Sequence, residues 1–216
     1  MKSLVIYHDH CTDGFGAAYA AWLKLGESAE YLPMNYNQPF EPMICAGRDV
    51  FILDFSFSME VMGRILELST ATVFLDHHKT AFETYARGDG TLFVEGNEEY
   101  YIKLDNNKSG AMLAWEYFHP QERIPQWVRY IDDRDRWKFW VPGSAAFHVG
   151  MSARKPWTFD QWKEDLDEVC AHKIIDDGEI LLRDMETRVE SISKYALPCT
   201  VYNHGFIYGT ELVYKG

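Results

Sequence analysis

Short apolar runs alternate with longer stretches of helical periodicity through the first half of this chain, and polar clusters mark the joins. Leu4-Val5-Ile6-Tyr7, Val50-Phe51-Ile52-Leu53 and Thr72-Val73-Phe74-Leu75 are rich in β-branched and aromatic side chains. Continuous apolar runs of this length, separated by helical stretches, read as buried parallel strands. Gly14 to Trp22 reads as a helix that packs closely through its small residues, and Met59 to Leu68 as a crossover helix with Met62, Ile65, Leu66 and Leu68 inward. Ala29 to Tyr36 looks like another strand, and Pro33 argues for an edge or irregular position.

Further along, Thr91 to Glu95 and Tyr100 to Leu104 read as short strands flanking a Gly-Asn turn. Ser109 is placed to cap a helix from Gly110 to about His119, and Pro125 suits the first turn of the next helix. From Thr158 to about Ala196 the pattern predicts two helices, the second amphipathic through Ile174, Leu181, Leu182, Met185, Val189 and Ile192. Cys199 to Tyr202 and Ile207 to Val213 resemble strands. The expected fold is α/β, a mostly parallel Rossmann-like sheet flanked by helices, then a helical linker and the start of a second domain. The boundaries fall at 1–150, 151–196 and 197–216.

The polar clusters carry the chemistry. The three apolar runs end in His8-Asp9-His10-Cys11-Thr12-Asp13, in Asp54, and in Asp76-His77-His78. Parallel strands point the same way, so these clusters gather on the carboxyl edge of the sheet, where open α/β sheets place their sites. Carboxylates and imidazoles collected there repel or desolvate one another unless a cation holds them. Each piece has a plainer reading: Asp54 as a turn residue or cap, Asp13-Gly14 as a tight strand-to-helix turn. Their joint placement favours a metal site. Gly14 and Gly16 serve an anion at the helix N-terminus or plain helix–sheet packing equally well. Asp132-Asp133-Arg134-Asp135-Arg136 could be a solvated ion-paired face, but Trp137, Phe139 and Trp140 beside it suggest burial.

Composition narrows the partners. A net charge of −12 weighs against tight unspecific binding to long duplex nucleic acid, whose affinity comes from neutralising phosphates. Part of that excess is offset if divalent cations sit among the clustered carboxylates. No apolar run approaches membrane-spanning length, and Met1-Lys2-Ser3 passes directly into the first strand, so neither a membrane helix nor a secretory leader is expected. Cys11, Cys45, Cys170 and Cys199 stand far apart, which favours free thiols in a reducing cytoplasm. A homodimer is left open.

Residues from about 2 to 140 resemble the DHH phosphoesterase superfamily, named for the triplet found here as Asp76-His77-His78. The first family motif matches His8 to Gly14, the second Asp54, the third the triplet. The fourth is an Asp in a later helical segment, with Asp133 the leading candidate and Asp135 the next. Cys11-Thr12-Asp13-Gly14-Phe15-Gly16-Ala17-Ala18 is similar to a less characterised branch in which Cys replaces a motif Asp. The resemblance implies a two-ion phosphoesterase using Mn²⁺ or Mg²⁺ on a small nucleotide or short oligonucleotide. Asp54 would bridge the ions, with His8, Asp13, His77 and Asp133 completing the ligand set. His78 would contact the phosphate, Asp76 would orient an imidazole, and Arg134 or Arg136 would bind substrate. Relatives carry a C-terminal substrate domain ending in a Gly-rich, His-containing loop; none is present here, and that domain is expected to be truncated. Cys11 and the missing loop support an alternative, a non-catalytic metal- or phospholigand-binding protein on a degraded scaffold.

Overall fold

The computed structural model describes all residues except 37, 87–99, 167, 204, 205, 215 and 216, and the side chains of 168–171 and 196–214 are not described. The strand expected at Thr91 to Glu95 therefore lies outside the described residues. Five parallel strands form one sheet in the order β2-β1-β3-β4-β5: β1 Ser3–His8, β2 Ala29–Met34, β3 Asp49–Leu53, β4 Ala71–Asp76 and β5 Tyr100–Leu104. The expected parallel sheet is there, and Pro33 sits on the edge strand β2, where a missing N–H is tolerated.

Side chains alternate across the sheet. Val5 and Tyr7 of β1 face a core shared with α1 (Thr12–Leu25), α4 (Gly110–Phe118) and α5 (Gln126–Asp135). Leu4 and Ile6 face the other layer, formed by α2 (Met59–Leu68) and α3 (Lys79–Tyr85). Both faces being covered explains why the strands read as continuous apolar runs. The caps are also local: Ser58 accepts from Val61 N–H at the start of α2, and Ser109 from Met112 N–H at the start of α4.

The helices after α5 are α6 (Ser144–Ser152), α7 (Phe159–Asp165) and α8 (Glu168–Ser193), followed by an antiparallel hairpin of β6 (Ala196–Asn203) and β7 (Phe206–Tyr214). The stretch expected as a linker contributes to the main core over its first half. Trp162 is fully buried against Phe15, Tyr19 and Trp127, and Ile174 is buried in the same cluster. α6 and α8 approach through glycines: a Cβ on Gly150 would stand 2.2 Å from Ile174 O, and one on Gly178 1.9 Å from Ala146 O. Beyond that crossing Leu181 and Leu182 of the expected stripe are half-buried and Met185, Val189 and Ile192 are exposed, as is Ile180 beside them.

Candidate metal centre

Register assembles the site. Tyr7 pairs with Leu53 and Leu53 with Leu75, so His8, Asp54 and Asp76 stand side by side one residue further along adjacent strands. The strand order reverses between β1 and β3, with β2 on one side and β4 on the other, which opens a crevice beyond their carboxyl ends. Asp54 has φ of 54°, a left-handed conformation that Asp tolerates better than most residues, and its N–H donates to Leu75 O at 2.9 Å. Two glycines make room. A Cβ on Gly110 would lie 2.4 Å from Asp54 Cβ, and one on Gly14 2.1 Å from His8 O. Gly14 thus serves close packing against the β1 terminus, and Gly16 packs against Ile131 and Ala111.

His77 Nε2 is the centre of one group. It lies 3.0 Å from Asp54 Oδ1, 3.3 Å from Asp13 Oδ2 and 3.6 Å from Asp135 Oδ2. Asp13, though on α1, reaches the start of α4: its Oδ2 accepts from Gly110 N–H at 2.7 Å and its Oδ1 from Ala111 N–H at 2.8 Å. The second group surrounds the other oxygen of Asp54. His8 Nδ1 is 3.8 Å from Oδ2, and Cys11 Sγ donates to Oδ2 at 3.6 Å while lying 3.4 Å from His8 Nδ1. One carboxylate therefore turns one oxygen to each cluster.

Asp76 holds the triplet in shape. Its Oδ1 accepts from the N–H groups of His77 and His78 at 2.7 and 3.2 Å and lies 2.8 Å from His78 Nδ1. With Nδ1 so occupied, it is Nε2 that His78 can offer to a ligand. Asp133 stands apart from both groups. It accepts from Trp140 N–H, Val141 N–H and Ser144 Oγ at 2.8, 3.1 and 2.6 Å, tying the loop after α5 to the start of α6. The acid brought to His77 is Asp135, two residues on and around the helix from Asp133.

Charge is out of balance. Burial pushes the Asp13 carboxyl up, and the neighbouring Asp54 adds to this. Burial and Asp13 push Asp135 up to about 7. Burial works against ionising His77, but Asp13 and Asp54 outweigh it and raise the imidazole to about 11. Burial also opposes the charge on Asp54, yet His77, His8 and His78 hold it below the usual carboxylate range. Burial, then Asp54 and Asp13, push the Cys11 thiol far up, so it stands as a neutral donor. Both His77 and Asp135 are thus shifted toward their protonated forms. Among the described residues the buried Asp76 Oδ2 receives no hydrogen bond, and the buried Asp54 Oδ1 has only the His77 ring at 3.0 Å.

Beside His77 and Asp135 opens a polar recess of about 290 Å³, further lined by Asn106, Asn107, Arg136 and Lys138. Arg136 also pairs with Asp132 at 3.1 Å, while Arg134 stands over the Trp137 ring at 5.3 Å. A cleft of about 790 Å³ beside Trp115, Trp127, Tyr130 and Ile175 contains none of these ligands. Sequence reading missed Asn106, Asn107 and Lys138. The two asparagines follow β5 as the other clusters follow β1, β3 and β4, so the same strand-end rule finds them once β5 is recognised as parallel.

Among the described residues, Cys11 and Cys45 are free thiols, and no helix is long and apolar enough to cross a membrane. No family model and no solved structure matches the chain. In an alignment of 206 positions that covers 88% of the chain, it is 29% identical to "Uncharacterized protein R106" of Acanthamoeba polyphaga mimivirus. The match covers 46% of that viral protein, so the chain spans about half the length of this curated relative.

Proposed function

We propose that this chain is a metal-dependent phosphoesterase acting on a small nucleotide or short oligonucleotide, in keeping with its resemblance to the DHH superfamily. The observation that carries the reading is Asp54, buried, with Oδ1 3.0 Å from the His77 Nε2 that Asp13 and Asp135 also approach, and Oδ2 beside His8 and Cys11. The partner its Oδ1 has is the His77 ring at 3.0 Å, and the neighbouring carboxyls Asp13 and Asp135 are pushed up, in keeping with a site whose charge a cation completes. Three carboxylates and two imidazoles suit a hard divalent ion such as Mn²⁺ or Mg²⁺.

In this reading Asp13, Asp135 and His77 would hold one ion and His8 with Asp54 the other, the Asp54 charge standing beside both. Bound there, the cations supply charge neutralisation for phosphoryl oxygens and make nearby water more acidic. His78, locked by Asp76, presents Nε2 to a phosphate oxygen. Arg136 and Lys138 extend positive charge along the recess and hold the substrate backbone. Asp133 keeps the loop carrying Lys138 in place. A cytoplasmic location belongs to the same proposal.

Cys11 favours a second reading, a metal- or phospholigand-binding protein without turnover. A neutral thiol in place of a carboxylate leaves the His8 side short of hard oxygen ligands. Elemental analysis after Mn²⁺ loading, paired with hydrolysis of bis(p-nitrophenyl) phosphate, separates the two. Metal with Mn²⁺-stimulated hydrolysis is the expected result. Metal without turnover selects the metal-binding protein, and absence of metal removes the phosphoesterase and leaves only phospholigand binding.

A further inference from the structure

The loop between α5 and α6 carries the most conspicuous exposed aromatic group described in the molecule. Trp137 is 71% exposed and Trp140 79%, with Phe139 between them at 44%. Large aromatic side chains left this open contradict the burial that their sequence context suggested, and they lose the transfer energy that a core position would give. The loop is nonetheless fixed. Asp133 accepts from the N–H groups of Trp140 and Val141, Trp137 N–H donates to Arg134 O, and Lys138 N–H donates to Asp133 O. Trp137 and Phe139 are held at φ of 53° and 52°, a left-handed conformation costly for bulky residues. A structure that rigidly displays indole rings at such a cost has a use for them.

The loop's position says which. It begins one residue beyond Asp135, and its Arg136 and Lys138 line the recess shared with His77. Lys138 Nζ is also 5.2 Å from the Trp140 ring, so one side chain joins the recess to that indole. Arg134 stands over Trp137 at 5.3 Å. Flat rings interleaved with cations, beside a site built for phosphate, are the elements by which single-stranded nucleic acid is held: bases stack on aromatic rings and the backbone follows the positive groups. The surface is short, which agrees with a chain whose net charge of −12 opposes a long polyanion.

We propose that Trp137 and Trp140 form a base-stacking platform that seats the unpaired bases of a short oligonucleotide while Arg136 and Lys138 lead its phosphate to the metal centre. The platform rests on the phosphoesterase reading only for the last clause; stacking itself needs no turnover. Neither ring touches a metal ligand, so both are positioning residues. Because both side chains are exposed, their removal leaves the core intact, which a thermal melt checks.

The test uses the full chain saturated with Mg²⁺ and two probes of the same backbone: 5′-phosphorylated diadenylate and its abasic counterpart. Diadenylate is expected to quench tryptophan fluorescence and to bind more tightly than the abasic probe. Trp137→Ala/Trp140→Ala is expected to weaken diadenylate binding by about tenfold or more, the scale of base–aromatic stacking, with abasic binding little changed. Trp137→Phe/Trp140→Phe is expected to recover most of the loss. In hydrolysis with Mn²⁺ the Ala pair should raise KM for diadenylate far more than it lowers kcat. Equal binding of both probes by the native chain, or a double Ala variant indistinguishable from it, overturns the platform even if both probes are hydrolysed. Base-dependent binding without hydrolysis keeps the platform and removes the phosphoesterase. A tryptophan shift on neutral phosphatidylcholine vesicles, with none on diadenylate, overturns it in favour of a lipid surface.

Discussion

The carboxyl edge of the sheet and the outer half of α8 depart from an ordinary protein surface in opposite directions. At the edge, Asp13, Asp54 and Asp76 are 2%, 1% and 0% exposed. Along α8, Ile180, Met185, Val189 and Ile192 lie open to solvent. Scattered apolar side chains at a surface cost little and are common, whereas buried carboxylates are costly unless paired, bonded or bound to metal. The two regions therefore differ in what they reveal. The edge is where the proposed cation would sit; the α8 stripe implies nothing by itself.

Substitutions at the edge should break that contrast most sharply. Asp54→Asn keeps the shape but removes the charge shared by both clusters. It should lower Mn²⁺ affinity beyond the roughly 10- to 100-fold loss seen when ligand-orienting partners are removed. Without ions, the Asp54→Asn protein should melt lower than the native one, because Asp54 is paired with the protonated His77 and its loss leaves that buried imidazolium less compensated. His78→Ala should keep its metal while turnover falls by about 10²- to 10³-fold, the usual loss for one donor at a developing charge. Isothermal titration and steady-state kinetics decide both, and native metal affinity in the Asp54→Asn protein removes Asp54 from the centre.

Within α8 the same contrast appears along one helix. Ile174→Ala should cost about 2–5 kcal/mol, because Ile174 is buried against the main core. Val189→Ser, on the open stripe, should stay within about 0.5 kcal/mol of the native chain. Urea unfolding measures both, and a large loss at Val189 would mean that the outer stripe is covered in solution.

The gentlest probe is pH. Asp135 is pushed up to about 7 from its ordinary 3.8, and His77 to about 11 from 6.5. Raised values favour the protonated folded form. The Asp135 contribution is present below its ordinary value and lost as pH rises to about 7; that of His77 is present below 6.5 and lost towards about 11. Ion-free protein should lose stability at this site as pH rises from about 5 to about 8, while Mn²⁺ affinity rises because binding expels those protons. Thermal melts with and without chelator show whether the two trends diverge as expected or run parallel.

Much of the fold was legible because the strands are buried on both faces and the crossover helix α2 has a clear apolar stripe. The short α3 was not, since seven residues after His78 hold too few turns for a period to show. α6 was missed for another reason: Gly150 and the small residues of Ser144-Ala145-Ala146 bury it by close backbone approach, without an apolar stripe. At the candidate site the strand-end residues His8, Asp54, Asp76 and His77 follow from register alone. The choice between Asp133 and Asp135 does not, because residues two apart on a helix face different ways and only the packing of α5 says which faces the sheet. The exposed tryptophans were misread because aromatic character predicts burial, and nothing local in the sequence announced the left-handed turns that lift them out.

Gly110 gives the centre a vulnerability that no roster of ligands contains. It donates no side-chain atom to anything, yet its bare α-carbon is the space that Asp54 occupies. Its N–H is also one of the two that hold Asp13. A single added methyl group there displaces Asp54 and loosens Asp13, two of the candidate ligands. Variant interpretation that scores only lost donors would pass such a change as silent, although it dismantles the centre from the inside.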